Sequence, residues 1–176
     1  MEFERVDEAI GRDGPALGQI TGNVTINGAV TSNGGLLPGN SSIPPGGGTT
    51  TNPGQDMGTI LINGNYATSG KDAYFGMFVD LDAGTQDFVN ITGNVSGTDP
   101  TYLYIVEFDA AADPGFATTG NGIQVIRVGG TTTAGAFRQG TSITAGSYQY
   151  LLRHVANYNI AGDDGYFLQS AARDEI

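Results

Sequence analysis

The chain has no cysteine, no tryptophan, one lysine (Lys71) and one histidine (His154) among 176 residues. Without cysteine there is no disulfide, no thiolate metal site and no cysteine nucleophile. Stability must therefore come from packing alone. Basic residues number 7 against 18 acidic ones, a net charge of −11. So few cations cannot displace counterions from a phosphate backbone or hold an anionic lipid surface, so nucleic acid and membrane surface are not expected partners. No apolar run approaches the about 18 residues that a spanning helix needs. Met1–Arg5 is charged and lacks the apolar stretch of a signal peptide. These residues leave two alternatives: a cytosolic protein, or an excised piece of an exported one.

What fills the chain instead is glycine, 29 residues of it, with abundant Thr and Asn. All three are poor in helix interiors, whereas apolar residues still recur throughout, so a β-rich fold with many tight turns is expected. Residues 1–19 stand apart. Glu2, Glu4, Arg5, Asp7, Glu8, Arg12 and Asp13 place seven of the charges in the first thirteen positions. They read as a charged tail, and Met1-Glu2-Phe3 is compatible with a cloning junction. Residues 34–57 form a Gly/Pro/Ser/Thr-rich segment, expected to be a linker or a long excursion from the fold.

From residue 20 a short unit repeats. Ile20-Thr21-Gly22-Asn23-Val24 recurs letter for letter at Ile91–Val95, with looser copies at Ile26–Val30 and Ile62–Tyr66. Two apolar residues at two-residue spacing fall on one face of a strand. Further strands of the same period are expected at Tyr102–Val106, Ile123–Val128, Tyr148–Leu152 and Tyr166–Leu168. Units that each bury a narrow apolar strip gain stability by stacking on their neighbours. The first architecture is therefore a parallel β-helix. An antiparallel sandwich is the second, with Asn-Gly pairs such as Asn27-Gly28 and Asn63-Gly64 as its hairpin turns.

Six pieces in order resemble the C-terminal passenger region of pertactin-like bacterial autotransporters, including its autochaperone part. They are Gly35–Ser41, Gly58–Tyr66, Asp87–Gly93, Gly122–Val128 with Ala136-Phe137, Ala145–Leu152 and Gly165–Ser170. Tyr166 stands where the family usually has tryptophan. The resemblance implies a right-handed parallel β-helix over residues 20–170, with an autochaperone core at 122–170, a C-terminal capping hairpin-like segment, and 171–176 leading toward a β-barrel translocator. It implies a Gram-negative surface or secreted protein whose partners are its own upstream passenger rungs and that translocator. It also implies a folding nucleus of Val125, Ile126, Val128, Phe137, Gly146, Tyr148, Tyr150, Leu152, Tyr166, Phe167 and Leu168. The alternative role is an adhesin stalk contacting a host protein or glycan. The first rung, near Ile20–Val30, would offer an unpaired edge and with it a route to self-association.

Catalysis is not expected, nor is a cofactor. His154 has no second histidine or cysteine to complete a transition-metal site, and reads as a turn histidine. Asp80, Asp82 and Asp87 lack the glycine and glutamate of a calcium loop and read as a solvated turn. Asp80/Asp82 and Asp163/Asp164 are the tight carboxylate pairs weighed for glycoside hydrolysis. Asp163-Asp164 lies between two glycines, where a turn is expected, and no Gly-x-Ser-x-Gly elbow occurs.

Overall fold

The computed structural model describes residues 19–21, 23–38, 57–81, 83–107 and 114–173. The charged segment before Gln19, Asp82 and most of the Gly/Pro-rich segment lie outside them. The described residues are all-β, with no helix. After a leading strand β1 (Gln19–Thr21), the chain makes three similar passes, here called tiers. The first is β2 (Val24–Asn27), β3 (Val30–Ser32) and β4 (Gly35–Leu37). The second is β5 (Thr59–Asn63), β6 (Tyr66–Thr68) and β7 (Tyr74–Asp80), to which β8 (Thr85–Gln86) adds a short hairpin arm. The third is β9 (Phe88–Ile91), β10 (Val95–Ser96) and β11 (Thr101–Glu107).

Each tier visits three sheets in the same cyclic order. Strands β2, β5 and β9 lie side by side in one sheet, β3, β6 and β10 in a second, and β4, β7 and β11 in a third, all parallel. The register stacks like on like. Ile26 lies beside Ile62 and Ile62 beside Ile91, and all three are fully buried. Burying one such side chain stabilises the fold by roughly 1.5–3 kcal/mol. On the third sheet Leu36, Phe75 and Leu103 stack in the same way. Its opposite face carries a second cluster of Leu37, Tyr74 and Phe78, with Met57, Tyr104 and Val106 packed on it.

The looser repeats prove to be the equivalent ones. Ile26–Val30, Ile62–Tyr66 and Ile91–Val95 form one column at the corner between the first and second sheets. The letter-for-letter copy at Ile20–Val24 does not join this column, because β1 pairs with β4 in the third sheet. Identity of letters was the weaker guide, because the corner demands only apolar residues and a glycine. A Cβ on Gly64 would collide with the Gly28 backbone, one on Gly93 with Gly64, and one on Gly130 with Gly93. Only glycine lets the corners approach this closely. Asn27-Gly28 and Asn63-Gly64 are thus corners between sheets and not hairpin turns. Among the described residues antiparallel pairing is confined to the β7–β8 arm and the last strands, which is not the pairing of a sandwich.

A fourth pass begins with β12 (Ile123–Val128), parallel to β9, and β13 (Phe137–Gln139), parallel to β11. Then the pattern changes. Strands β14 (Ile143–Ala145), β15 (Tyr148–Val155) and β16 (Asp164–Ala172) are antiparallel, and β16 pairs along β12. Since β16 runs to Ala172, two residues assigned to a following linker belong to the sheet.

Candidate functional site: the C-terminal cap

The cap is built on β12, whose sequence puts Val125 and Ile126 side by side although both are buried. Simple alternation would send one of them outward. A register shift between Gln124 and Ile126 resolves this: Gln124 faces Phe167 and Ile126 faces Tyr166, leaving Val125 as the extra residue of a bulge. Val125, Ile126 and Val128 all join the main core.

Over them an aromatic chain crosses from the tiers into the cap. Tyr66 and Phe75 of the second tier lie 5.4 Å apart, Phe75 lies 5.4 Å from Phe137, and Phe137 meets Tyr166 edge-on at 4.8 Å. His154 follows at 5.0 Å from Tyr166. Edge-to-face pairs of this kind add to the area they bury. The tyrosine hydroxyls find partners inside. That of Tyr66 meets Thr101 Oγ1 at 2.8 Å; that of Tyr166 donates to the Thr133 carbonyl and pairs with Thr132 Oγ1 at 3.0 Å. Burial pushes the ionisation of both up to about 12. The Tyr166 hydroxyl thus gives that position a polar hold on residues 132–133.

Segment 114–121 is fastened across the cap by side chains. The Phe116 N–H donates to the Tyr150 hydroxyl, which donates to the Phe116 carbonyl, both at 2.8 Å. Thr118 N–H donates to Ser170 Oγ at 2.7 Å, and Ser170 N–H returns to Thr118 Oγ1 at 3.0 Å. Gly146 turns β14 into β15 with φ +53°, and a Cβ there would collide with the Pro114 carbonyl. Two further side chains stand in for absent strand neighbours. Gln139 donates to the Tyr150 carbonyl at 2.9 Å and accepts from Leu152 N–H at 3.0 Å. Thr141 Oγ1 accepts from Ile105 N–H at 2.9 Å and donates to the Ile105 carbonyl at 2.8 Å.

Of the expected nucleus, Val125, Ile126, Val128, Phe137, Tyr150, Tyr166 and Leu168 are buried in the main core, with Tyr148 and Leu152 half-buried against it. Phe167 is buried elsewhere: the opposite direction of its side chain sets it against Tyr158, ring centres 5.3 Å apart. The sequence offered no signal for Thr118, Gln139, Thr141 or Ser170, since a side chain replacing a strand neighbour has no local pattern.

Three readings of charged residues are corrected. His154 lies in β15, not in a turn, its Nε2 2.9 Å from Asp164 Oδ2. Asp163-Asp164 was expected in a turn, but Asp164 opens β16 and Asp163 is buried: Arg127 Nε donates to Asp163 Oδ2 at 2.8 Å, and Asn159 Nδ2 donates to the same oxygen at 2.8 Å. The Asn159 amide first, then Arg127, holds its carboxyl below the usual range. Asp87 is buried as well, accepting from Gly58 N–H at 2.7 Å and Phe78 N–H at 2.8 Å. Burial pushes its pKa up to about 6 against the lowering effect of those bonds. Asp80 caps the β7–β8 turn by accepting from Ala83 N–H at 2.8 Å, while its proposed partner Asp82 lies outside the described residues. Among the described residues no cluster of three metal-ligating side chains occurs.

A family model, Autochaperone Domain Type 1, matches residues 44–152, more than half of the chain. The chain belongs to the type 1 autochaperone domain family. That membership carries a chaperone-like role in autotransporters. The match ends within β15, so β16, the strand that holds β12 and β15 together, lies beyond it in this autochaperone domain. A search of curated proteins finds no significant match.

Proposed function

We propose that this autochaperone domain is the intramolecular chaperone and folding nucleus of a longer passenger, promoting its passage through the outer membrane and its folding at the surface of a Gram-negative cell. In this reading the three parallel ladders are the walls of a β-helix. It is right-handed, as parallel crossovers in one sheet nearly always are. The observation that carries the proposal is the change of strand direction at β12. An antiparallel strand on β12 ends the parallel stacking of the first sheet at the C-terminal side, so in that sheet a further parallel tier adds at the β2 side. A capped end that folds first removes the nucleation step for every tier that follows. Folding outside the cell then draws the chain outward. The partners are upstream tiers of the same chain and a β-barrel translocator.

The role is proposed to be non-enzymatic. Asp163 and Asp164, the adjacent carboxylates, are each held by a different partner, Arg127 and His154, and do not act as a pair. Deleting residues 122–170 from the full-length protein should abolish surface display and leave the upstream passenger sensitive to protease. Undiminished display with protease resistance would overturn the proposal.

A further inference from the structure

At the corners, neighbouring tiers are joined by a bond that runs in one direction only. An asparagine of the earlier tier accepts, through its side-chain oxygen, a backbone N–H of the next. Asn23 takes Thr59 N–H at 2.7 Å and Asn33 takes Asp72 N–H at 3.1 Å. Asn65 takes Asn94 N–H at 2.9 Å, and Asn94 takes Thr131 N–H at 2.8 Å. In the corner column of Asn65, Asn94 and Thr131 a backbone bond runs the other way, from the residue that follows. Tyr66 N–H donates to the Asn94 carbonyl and Val95 N–H to the Thr131 carbonyl, at 2.9 and 2.8 Å.

Ala29 holds the same corner place in the first tier, since Val30 N–H donates to the Asn65 carbonyl and Val30 stands beside Tyr66. Among the described residues its own N–H meets no acceptor, and β2 is the terminal strand of its sheet. We propose that the Asn27–Ala29 corner of this edge is a recognition site for a parallel strand of the upstream passenger that ends in a Gly-Asn corner. The asparagine side-chain oxygen accepts the Ala29 N–H, and the residue after it donates its N–H to the Ala29 carbonyl. This rests on the templating role above and names what the template selects: a carboxamide at one place, above apolar residues stacked on Val24 and Ile26. In this column the carboxamide bond joins the second tier to the third and the third to the fourth pass, so the occupant continues an interface already present.

The test uses the whole chain, labelled with nitrogen-15, and two synthetic peptides. One has the sequence of residues 88–97, which carries the Gly93-Asn94 corner; the other is identical except for Asn94→Ala. Amide shifts and hydrogen exchange are followed at Val24–Val30. The first peptide should perturb β2 and slow exchange at Ala29. The second should bind about 2- to 10-fold more weakly, the share of one hydrogen bond, and leave Ala29 unprotected. Equal binding and equal protection by both would overturn the asparagine rule while leaving templating intact. If neither peptide perturbs β2, the templating role falls with it.

Discussion

In the tiers, neighbouring strands are joined by backbone ladders, stacked aliphatic side chains and an asparagine at the corners, a scheme that any further copy of the same unit continues. In the cap, β14–β16 turn antiparallel, and side chains far apart in sequence close the backbone: Tyr150 on Phe116, Ser170 on Thr118, Gln139 on Leu152, Thr141 on Ile105. The first region propagates and the second terminates. Nucleation favours the second, because its bonds hold one sequence in one place, whereas a repeat can slip by one unit and still satisfy itself.

The largest effect should come from Tyr150→Ala in the cap, set against Ile62→Ala in the second tier. Each side chain is fully buried, so truncation should cost about 3–5 kcal/mol for the tyrosine and about 2–5 kcal/mol for the isoleucine. What separates them is kinetics. If the cap forms first, Tyr150→Ala slows refolding, whereas Ile62→Ala chiefly speeds unfolding. Chevron plots for the two variants decide the matter, and equal partitioning would erase the distinction between nucleus and follower.

The two regions should also answer pH in opposite senses. Asp87, between tiers, has its folded pKa raised to about 6, above the usual carboxylate value, so its ionised form opposes folding. Its effect appears as stability that declines as pH rises from about 4 to about 6, by roughly 3 kcal/mol at most, and stays level above. Asp163, in the cap, has its folded pKa lowered. Its contribution is complete above the ordinary carboxylate pKa and is lost as pH falls through the folded value. Denaturant midpoints across pH 3–7 should show Asp87→Asn flattening the upper slope and Asp163→Asn flattening the acid one. A wild-type curve with no decline between pH 4 and 6 would contradict the first assignment.

The first sheet of the tiers could be read from residue spacing, because the period-two strips at Ile26, Ile62 and Ile91 are local and repeat, whereas β4 falls in the segment expected to be a linker or excursion and β7 was not expected. The strands β11, β12, β15 and β16 were found by the same rule. Legibility ended where two residues distant in sequence share one task. Nothing near Thr118 points to Ser170, and nothing near Arg127 points to Asp163. The turn assigned to His154 failed because a histidine flanked by arginine and valine looks the same in a strand and in a loop. Asp87 misled for a related reason: its two donors, Gly58 and Phe78, arrive from other parts of the chain. The Tyr150 ring is buried, as its spacing from Tyr148 and Leu152 suggests, but the hydroxyl that fastens Phe116 had no local sign.

A smaller cost is expected from Gly93→Ala in the corner column. The new methyl group would collide with Asn65 and with the Gly64 backbone, and neither can withdraw without disturbing the bond from Asn94 N–H to Asn65. Overpacking of this kind costs about 1–3 kcal/mol. Thermal melts of Gly93→Ala beside Gly135→Ala, where a Cβ comes no nearer than 4.0 Å to any neighbour, separate the crowding from the general effect of removing a glycine. Similar losses at both positions would mean that close approach does not govern the corner.

The smallest and most diagnostic effect concerns the fastening of segment 114–118. Tyr150→Phe keeps the ring and removes only the hydroxyl, leaving the Phe116 N–H and carbonyl to water at a residue already 38% exposed. A loss of about 1 kcal/mol is expected. Ser170→Ala breaks the neighbouring pair with Thr118 at similar cost. If the segment detaches as one unit, releasing either end frees the other, and the double variant should lose less than the sum of the single losses by about 0.5 kcal/mol or more. Strict additivity would mean that the two bonds hold independent points, so that the cap is closed residue by residue and not by a latch. Urea titrations of the four proteins in this cycle give the coupling directly.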